Sequence, residues 1–363
     1  MKNTFGNNIS LTLFGESHGK AIGAVLDGLA PGIEVDEEFI KTVLLRRKPV
    51  GAISTSRRED DKFDIVSGVV NGKTTGTPIC IVIPNNDTRS GDYSSFSSLA
   101  RPSHADFSAN CKYHGYEDAR GGGHFSGRIT AALCAAGAIL LSALSKKGID
   151  IATHIKSIGS VNDREFGDLE SDIKKLNNMD FAVLDDSCVQ AMVNEITSAK
   201  SEGDSVGGVL ETVVTGLPAG VGEPWFDSVE SVLSHALFSI PAVKGVEFGA
   251  GFAISKMRGS QSNDPFYISN GEVKTKTNNS GGINGGITNS MPVIFRLAIR
   301  PTPTIMKEQQ TVDFKEMKDA LLLAAGRHDP CIIHRARIVS DCVTALALSD
   351  LLATHYGTDW LSK

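Results

Sequence analysis

A stretch of eight residues, 324–331, brings together side chains that could carry acid–base chemistry. It reads Ala-Ala-Gly-Arg-His-Asp-Pro-Cys, so a cation, an imidazole and a carboxylate follow one another at Arg327, His328 and Asp329. The triplet lies between an apolar run and a proline, and side chains at the end of an element can point into a cleft. A solvated helix terminus, with its cations near the C-terminal dipole, accounts for the stretch equally well. Partners elsewhere in the chain must decide between the two interpretations.

Two further histidines lie in turns that contain glycine or charged residues. His18 falls in the sequence Gly-Glu-Ser-His-Gly, and His104 falls in the sequence Arg-Pro-Ser-His-Ala-Asp. Imidazole gains and loses a proton near neutral pH and is the side chain used most often for proton transfer. A single histidine is usually structural, but several in turns of this kind favour a site that moves protons.

Glycine and basic residues indicate that the site binds an anion. The glycine cluster 121–123 opens directly onto the apolar stretch 129–144, and free N–H groups at such a helix start can bind an anion. Its spacing matches neither a P-loop nor a dinucleotide fingerprint, so the cluster alone is a weak signal. Arginines bind phosphate and carboxylate through paired hydrogen bonds, so converging basic clusters would favour a polyanionic small ligand. These clusters are Arg46-Arg47-Lys48, Arg57-Arg58, and Arg335 with Arg337.

Length and composition are typical of a soluble globular protein with a sizeable core. The chain has 363 residues, 41% of them apolar, and its net charge of −6 argues against nucleic acid or an acidic membrane as a partner. The six cysteines are widely spaced and form no cluster with metal-ligand spacing, which predicts no metal site and a reducing cytoplasm. The N-terminus has no apolar signal core, and residues 129–144 are too few to span a bilayer, so we expect a buried helix there.

Hydrophobic periodicity places these residues on a framework that mixes helices and strands. Asp36 reads as the N-cap of one helix, whose apolar residues at 39, 40, 43 and 44 share a face. Residues 241–245 read as a turn, and residues 150–200 read as connecting structure without recognisable chemistry. Further predicted helices end at 113 or cover 129–144, 228–238, 313–325 and 338–353, and predicted strands cover 9–13, 63–70, 78–83, 151–155, 207–214 and 292–299.

Two other patterns concern the organisation of the chain. The polar stretches 86–101 and 259–282 lack periodicity and are predicted to be mobile loops near a site. The frame Gly-x-Thr-x-small-x-Pro-apolar occurs at 72–79 and again at 286–293. This repetition indicates two similar halves within one fold, although chance similarity would explain it as well.

The sequence as a whole resembles the chorismate synthase family over almost its entire length. Several long motifs follow one another in the order in which the family has them, and chance does not produce such agreement. The motifs are Phe14-Gly15-Glu16-Ser17-His18-Gly19, Thr74-Thr75-Gly76-Thr77-Pro78, Arg101-Pro102 with His104-Ala105-Asp106, Lys112-Tyr113, Ala242-Val243-Lys244-Gly245-Val246-Glu247, Arg258-Gly259-Ser260-Gln261 and Gly326-Arg327-His328-Asp329-Pro330-Cys331.

The resemblance implies an activity, a cofactor and a fold. The family converts 5-enolpyruvylshikimate 3-phosphate to chorismate and phosphate by an anti 1,4-elimination, in the shikimate pathway of aromatic amino acid biosynthesis. It is a carbon–oxygen lyase that needs reduced FMN without net redox change, and NADPH would be required only if the chain reduces its own flavin. The implied fold is a β-α-β sandwich of α/β (α+β) class, a single domain over residues 1–363, assembled as a cytoplasmic homotetramer.

The resemblance also assigns roles to residues. His18 would protonate or hold the reduced flavin, His104 would assist the leaving phosphate, and Asp329 would relay the proton that reaches flavin N5. Substrate or NADP contacts would come from Arg46, Arg47 and Arg128, and no metal is implied. Flavin contacts would come from His124, Phe125, Ser126, Pro241, Ala242, Gly285, Arg300, Pro301, Thr302, Pro303, Thr304 and Arg327.

Two departures from the family pattern keep alternative functions open. The family usually continues its glycine-rich turn with Arg-Ser-Ser-Ala-Arg-Glu-Thr, whereas residues 124–130 read His-Phe-Ser-Gly-Arg-Ile-Thr, which predicts altered or weaker FMN binding. A second arginine that the family has shortly after Pro49 is absent, which argues against an NADPH contact there. The alternatives are an FMN oxidoreductase that uses the same site and a non-catalytic relative that binds FMN or a phosphoester.

Overall fold

The computed structural model describes residues 2–49, 51–54, 61–86, 98–323 and 329–363. The helices of these residues are α1 Glu37–Arg46, α2 Asp106–Tyr113, α3 Thr130–Lys146, α4 Leu169–Leu176, α5 Val189–Ser201, α6 Val229–Leu237, α7 Gly259–Ser262 and α8 Ile333–Tyr356. The strands are β1 Thr4–Phe5, β2 Ser10–Gly15, β3 Ala21–Asp27, β4 Asp64–Ser67, β5 Val69–Val70, β6 Lys73–Thr74, β7 Ile79–Pro84, β8 Asp150–Ile158, β9 Val161–Asn162, β10 Gly208–Thr215, β11 Val243–Phe248, β12 Phe266–Ser269, β13 Glu272–Thr275, β14 Ile283–Asn284, β15 Ile287–Thr288, β16 Val293–Ile299, β17 Gln309–Asp313 and β18 Lys318–Leu322.

Two antiparallel sheets of five strands enclose a layer of helices. The strand order is β1-β2-β3-β7-β4 in the first sheet and β11-β16-β10-β8-β9 in the second. Helix α3 packs against the first sheet, α8 packs against the second, and the two helices pack against each other. Because both helices are covered on all sides, most of their residues are buried and apolar. This arrangement confirms the predicted β-α-β sandwich of α+β class, and the structure adds that both sheets are antiparallel.

The two halves of the chain repeat the same design. The order β2-β3-β7-β4 in the first sheet corresponds to β8-β10-β16-β11 in the second, since each set follows the chain in the same sequence. The repeated motif places one threonine in each half at an equivalent turn. Thr74 Oγ1 donates to a carbonyl oxygen at 2.6 Å and accepts an N–H at 2.9 Å, and Thr288 Oγ1 does the same at 2.6 and 3.0 Å. The internal repeat is therefore structural; the partners are Ala30 and Ile33 in the first half and Pro218 and Val221 in the second.

Helix α3 is apolar because it lies in the interior. The stretch Gly127–Lys146 has the length and mean hydropathy, 1.7, of a membrane-crossing helix, but 72% of it is buried within the fold. A buried core helix passes the same test, and the sequence predicted such a helix over 129–144. A glycine lets α3 approach α8 closely, because a Cβ added at Gly137 would lie 2.4 Å from Cys342 Cβ.

Replacing Gly137 with alanine should lower the free energy of unfolding. Overpacking a core costs about 1–3 kcal/mol, and a contact of 2.4 Å with a fixed Cβ points to the upper end. The better helix propensity of alanine returns only about 1 kcal/mol. Denaturant titration would measure the difference. Gly259→Ala is the control, because nothing lies within 4 Å of its added Cβ; equal stability changes for the two variants would contradict the close packing of α3 on α8.

The predicted helix over 313–325 is wrong, because residues 309–322 form the hairpin β17–β18. The turn is held by Asp313, whose Oδ1 accepts the N–H groups of Lys315 and Glu316 at 3.0 Å each. Met317 then adopts a φ of 51°, which a helix cannot contain. The apolar residues that suggested a helical face do not form a buried stripe, since Leu321 is 60% exposed.

Other boundaries differ from the sequence prediction in smaller ways. The turn over 241–245 is partly wrong, because strand β11 begins at Val243. The stretch 259–282 contains helix α7 and the hairpin β12–β13, so it has regular structure, whereas its mobility stays a prediction. Residues 87–97 of the other predicted loop lie outside the described residues. Helix α8 begins at Ile333, five residues before the predicted start.

Candidate active site

A cleft of about 360 Å³ lies where the C-terminal end of α1 meets the N-terminal ends of α3 and α8. The segments before β11 and after β16 complete its wall. Six cationic residues and two carboxylates line this cleft, whereas the whole chain carries a net charge of −6. A positive cleft in an acidic protein concentrates anionic ligands. The cations are Arg47, Lys48, Arg101, Arg128, Arg300 and Arg335, and the carboxylates are Asp61 and Asp329.

Asp61 joins two of the predicted arginines. Arg47 Nη2 lies 3.1 Å from Asp61 Oδ2, Arg128 Nη1 donates to Asp61 Oδ1, and all three side chains are buried. Burial alone would raise the pKa of Asp61, but the two guanidinium groups outweigh it and lower that pKa. Arg47 Nε is also buried and has no hydrogen-bond partner among the described residues. Arg47 Nε is therefore available as a donor to a ligand. The sequence reasoning did not single out Asp61, which merely ends a polar segment.

His104 and Arg101 line the cleft and share one carboxylate. His104 Nδ1 lies 2.7 Å from Asp106 Oδ1, and the Nε and Nη2 atoms of Arg101 lie 2.8 and 2.6 Å from Asp106. Asp106 stands in the first turn of α2 and does not line the cleft itself. Burial alone would raise the pKa of Asp106, but hydrogen bonds from Arg101 and His104 outweigh it and hold the pKa well below its usual range.

The glycine-rich turn passes close to both predicted histidines. A Cβ added at Gly121 would lie 2.1 Å from His18 Cε1, and one added at Gly122 would lie 3.5 Å from His104 Nε2. Both glycines have positive φ, which favours glycine. His18 is buried, its Nδ1 lies 3.0 Å from Ser17 Oγ, and it stands behind Gly121 and outside the residues that line the cleft. The turn thus packs against both imidazoles, of which only His104 lines the cleft.

Asp329 lies shortly before the start of α8 and is paired with a partly buried arginine. Arg335 Nη1 donates to Asp329 Oδ2, and Arg335 Nε donates to the carbonyl oxygen of Arg47 at 2.9 Å. Burial lowers the pKa of Arg335 and the neighbouring Asp329 opposes this shift. Burial also raises the pKa of the Cys331 thiol to about 12, so this cysteine is no nucleophile at neutral pH. Arg327 and His328 lie outside the described residues.

The segment after β16 offers donors that have no hydrogen-bond partner in the part of the chain that the structure describes. Arg300 Nε and Thr302 Oγ1 are buried and make no hydrogen bond to a described residue. The Arg300 N–H donates to the Ala242 carbonyl at 3.0 Å, which ties this segment to the one before β11. Ala242 has a φ of 75°, an unfavourable conformation for a residue with a side chain. Such orphaned donors in a cleft are what a bound anion or cofactor would satisfy.

The structure gathers most, but not all, of the predicted ligand contacts. Phe125 and Ser126 line the cleft, as do Pro241, Ala242, Arg300, Thr302, Pro303 and Thr304. Besides His18, four of the predicted residues that the structure describes stand outside the lining. His124 Nδ1 lies 2.7 Å from the Gly15 carbonyl oxygen, and Arg46 donates to the Asn177 carbonyl. Pro301 follows Arg300, and Gly285 lies in the turn between β14 and β15. The described residues contain no cluster of His, Cys, Asp or Glu that could hold a metal ion.

Comparison with known proteins shows which family the chain belongs to. Residues 9–353 match the chorismate synthase family. The chain belongs to the chorismate synthase family. A chorismate synthase from Pyrococcus abyssi is 47% identical over 347 residues, and one from Thermococcus gammatolerans is 46% identical; each match covers 96% of both chains. A crystal structure of a chorismate synthase superposes with a TM-score of 0.77 at 29% identity and covers 97% of this chain and 94% of the other.

Membership of the chorismate synthase family confirms the resemblance and makes the chain a member of an enzyme family. It also confirms the fold class, because the superposed chorismate synthase has this architecture over almost the whole chain. The cationic cleft lies within the matched residues and contains His104, Arg128 and Asp329.

Proposed function

We propose that this chain is a chorismate synthase that converts 5-enolpyruvylshikimate 3-phosphate to chorismate and phosphate by anti 1,4-elimination. The observation that carries the proposal is the cationic cleft, in which six basic residues surround His104 and Asp329. The substrate carries one phosphate and two carboxylates, and burying so many negative charges requires many paired donors. Family membership over residues 9–353 supports the same activity.

The reacting groups would be divided among three residues. His104 would donate a proton from Nε2 to the departing phosphate oxygen as the carbon–oxygen bond breaks, since its Nδ1 is engaged by Asp106 at 2.7 Å. Asp329, paired with Arg335, would relay through its carboxylate the proton that reaches the flavin. His18, buried behind Gly121, would hold or protonate the cofactor rather than the substrate.

The residues of the cleft fit reduced FMN. Arg300 Nε and Thr302 Oγ1 are buried donors with no hydrogen-bond partner among the described residues, and Ser126, Pro241 and Ala242 line the same cleft. The cofactor carries a phosphate that such donors would hold. When bound, reduced FMN would supply transient electron donation for carbon–oxygen cleavage and take up the ring proton, with no net redox change. We also propose that the protein is a homotetramer in the cytoplasm and that it needs NADPH only if the chain reduces its own flavin.

An anaerobic assay tests the proposed function. Purified protein, chemically reduced FMN and 5-enolpyruvylshikimate 3-phosphate are mixed, and phosphate, chorismate and flavin oxidation are followed together. Equal amounts of phosphate and chorismate with no flavin oxidised are expected. Stoichiometric oxidation of flavin would instead indicate an FMN oxidoreductase. Binding of both ligands without product would indicate a non-catalytic relative.

Phe125 departs from the family pattern and lies in the cleft wall. Its ring is 42% exposed and packs edge-on against Tyr113 at 6.1 Å. We expect Phe125→Ser to tighten FMN binding about tenfold, because a hydroxyl that donates to a charged phosphate contributes roughly 1.5–3 kcal/mol. Anaerobic flavin titration measures the affinity. Phe107→Ser is the control, since Phe107 is exposed on α2 and does not line the cleft. An unchanged titration curve for Phe125→Ser would show that position 125 does not contact the cofactor.

A further inference from the structure

We infer that Asp106 is the positioning residue of this site, and that it fixes the tautomer and orientation of His104 and holds Arg101 beside it. The inference rests on the proposed function, in which His104 Nε2 acts on the departing phosphate. It is carried by one carboxylate that contacts two residues of the cleft wall while standing outside the cleft itself.

The hydrogen bonds of Asp106 fix the orientation of the His104 ring and of the Arg101 guanidinium. Asp106 Oδ1 accepts from His104 Nδ1 at 2.7 Å and from Arg101 Nη2 at 2.6 Å. Asp106 Oδ2 accepts from the backbone N–H of Arg101 at 3.0 Å and from Arg101 Nε at 2.8 Å. A carboxylate surrounded by four donors is stable only when ionised, and an ionised carboxylate only accepts hydrogen bonds.

The ionised carboxylate of Asp106 determines the tautomer of His104. Because Asp106 can only accept, the proton on a neutral His104 must sit on Nδ1. Nε2 then faces the glycine-rich turn, where a Cβ added at Gly122 would lie 3.5 Å away. A single ring atom is thus left to exchange protons with the cleft. The same carboxylate aligns the Arg101 guanidinium next to it, so a cation and an exchangeable proton are presented together.

The location of Asp106 explains how it can perform this role. It occupies the first turn of α2, where a carboxylate is favoured by the helix dipole. Its side chain and those of Arg101 and His104 are each less than a fifth exposed. The unit therefore reaches the cleft only through the guanidinium and Nε2. A residue that only stabilised α2 would not need to engage two side chains of the cleft wall.

Histidine-selective ¹⁵N NMR of the ligand-free protein tests the contact without using activity. The His104 signal is assigned by its loss in His104→Ala. We expect Nδ1 of His104 to carry the proton when the ring is neutral, and the proton to move to Nε2 in Asp106→Ala. A wild-type His104 with its proton on Nε2 would overturn the inference, whatever the enzyme assay shows.

A double-mutant cycle tests the consequence for catalysis. Asp106→Ala should lower kcat about 100-fold in the wild-type background, within the usual range for one general acid or base. In the His104→Ala background the same change should lower kcat by much less than 100-fold, because the part that acts through His104 is already lost and only the part that acts through Arg101 remains. Equal losses in both backgrounds would show that Asp106 is merely structural and would overturn the inference.

The control is Asp172→Ala. Asp172 also pairs bidentately with an arginine, Arg164, but it lies on α4 outside the residues that line the cleft. It should leave kcat unchanged, which separates loss of an Asp–Arg pair from loss of positioning. An inactive wild type would refute the proposed function, while the NMR result would still decide the role of Asp106.

Discussion

Replacing His104 with alanine should lower kcat by about 10²–10⁴-fold, the usual contribution of one general acid or base. The imidazole lines the cleft, Asp106 engages its Nδ1 at 2.7 Å, and the proposed function gives its Nε2 the proton for the departing phosphate. Without it, phosphate must leave with a full negative charge. The six cations of the cleft remain, so binding of substrate and FMN should change little. Single-turnover kinetics with reduced FMN, together with equilibrium binding of both ligands, separate the two effects.

The matched control for His104→Ala is His235→Ala. His235 is exposed on α6, its ring contacts Phe5, and it does not line the cleft. Its replacement removes an imidazole from a surface helix and should leave kcat unchanged. Normal turnover by His104→Ala would remove His104 from the mechanism. A loss of ligand binding as large as the loss of kcat would assign it to binding instead.

Local signals in the sequence were sufficient for elements that are defined by near neighbours. Helix α1 begins after Asp36, whose Oδ1 accepts the N–H groups of Glu38 and Phe39 at 3.0 Å each. Its buried residues Ile40, Val43 and Leu44 form the predicted face. The same reasoning failed over 313–325, because apolar residues spaced for a helix are also compatible with a hairpin. The turn at Asp313 and the pairing of β17 with β18 decide that segment, and the spacing of apolar residues alone detects neither of them.

The sequence predicted individual residues of the candidate site but not their arrangement in space. Motifs identified His104, Arg128 and Asp329, and the structure brings them to one cleft. The carboxylates that orient these groups were not assigned. Asp61 joins Arg47 and Arg128 across gaps of 14 and 67 residues, and such a pairing has no sequence signature. Asp106 stood inside a motif, but only the fold shows that it contacts the residues before it.

Residues 150–200 contain a buried histidine whose partners could not be read from the local sequence, because they are set by strand pairing. His154 on β8 lies opposite Glu211 on β10, and Glu211 lies opposite Arg296 on β16. Glu247 on β11 lies opposite Arg296 in turn. One residue from each of four adjacent strands thus forms a row of alternating charge across the second sheet. Strand register, rather than any local pattern, creates this row.

His154 should therefore stabilise the fold as a cation. It is fully buried, and its Nδ1 and Nε2 lie 2.8 Å from Asp163 Oδ2 and 2.9 Å from Glu211 Oε2. Since carboxylates only accept, both ring nitrogens must donate, which requires the imidazolium. Burial alone would lower the pKa of His154, but the two carboxylates outweigh it and raise that pKa. The stabilisation is thus fully present below the unfolded pKa of about 6.5 and is lost as pH rises through the folded pKa.

We expect His154→Ala to lower the free energy of unfolding by about 3–5 kcal/mol below pH 6.5, because it leaves Asp163 and Glu211 buried without their shared cation. His154→Gln keeps a neutral side chain whose contribution does not vary with pH. The gap in stability between wild type and His154→Gln should therefore shrink as the pH rises from below 6.5 through the raised pKa of His154. Denaturant titrations over that range measure it, with the exposed His355→Gln as the control. A gap that stays constant or widens with pH would show that His154 is not held as an imidazolium, and the row of charges would then be a network of neutral hydrogen bonds at that strand.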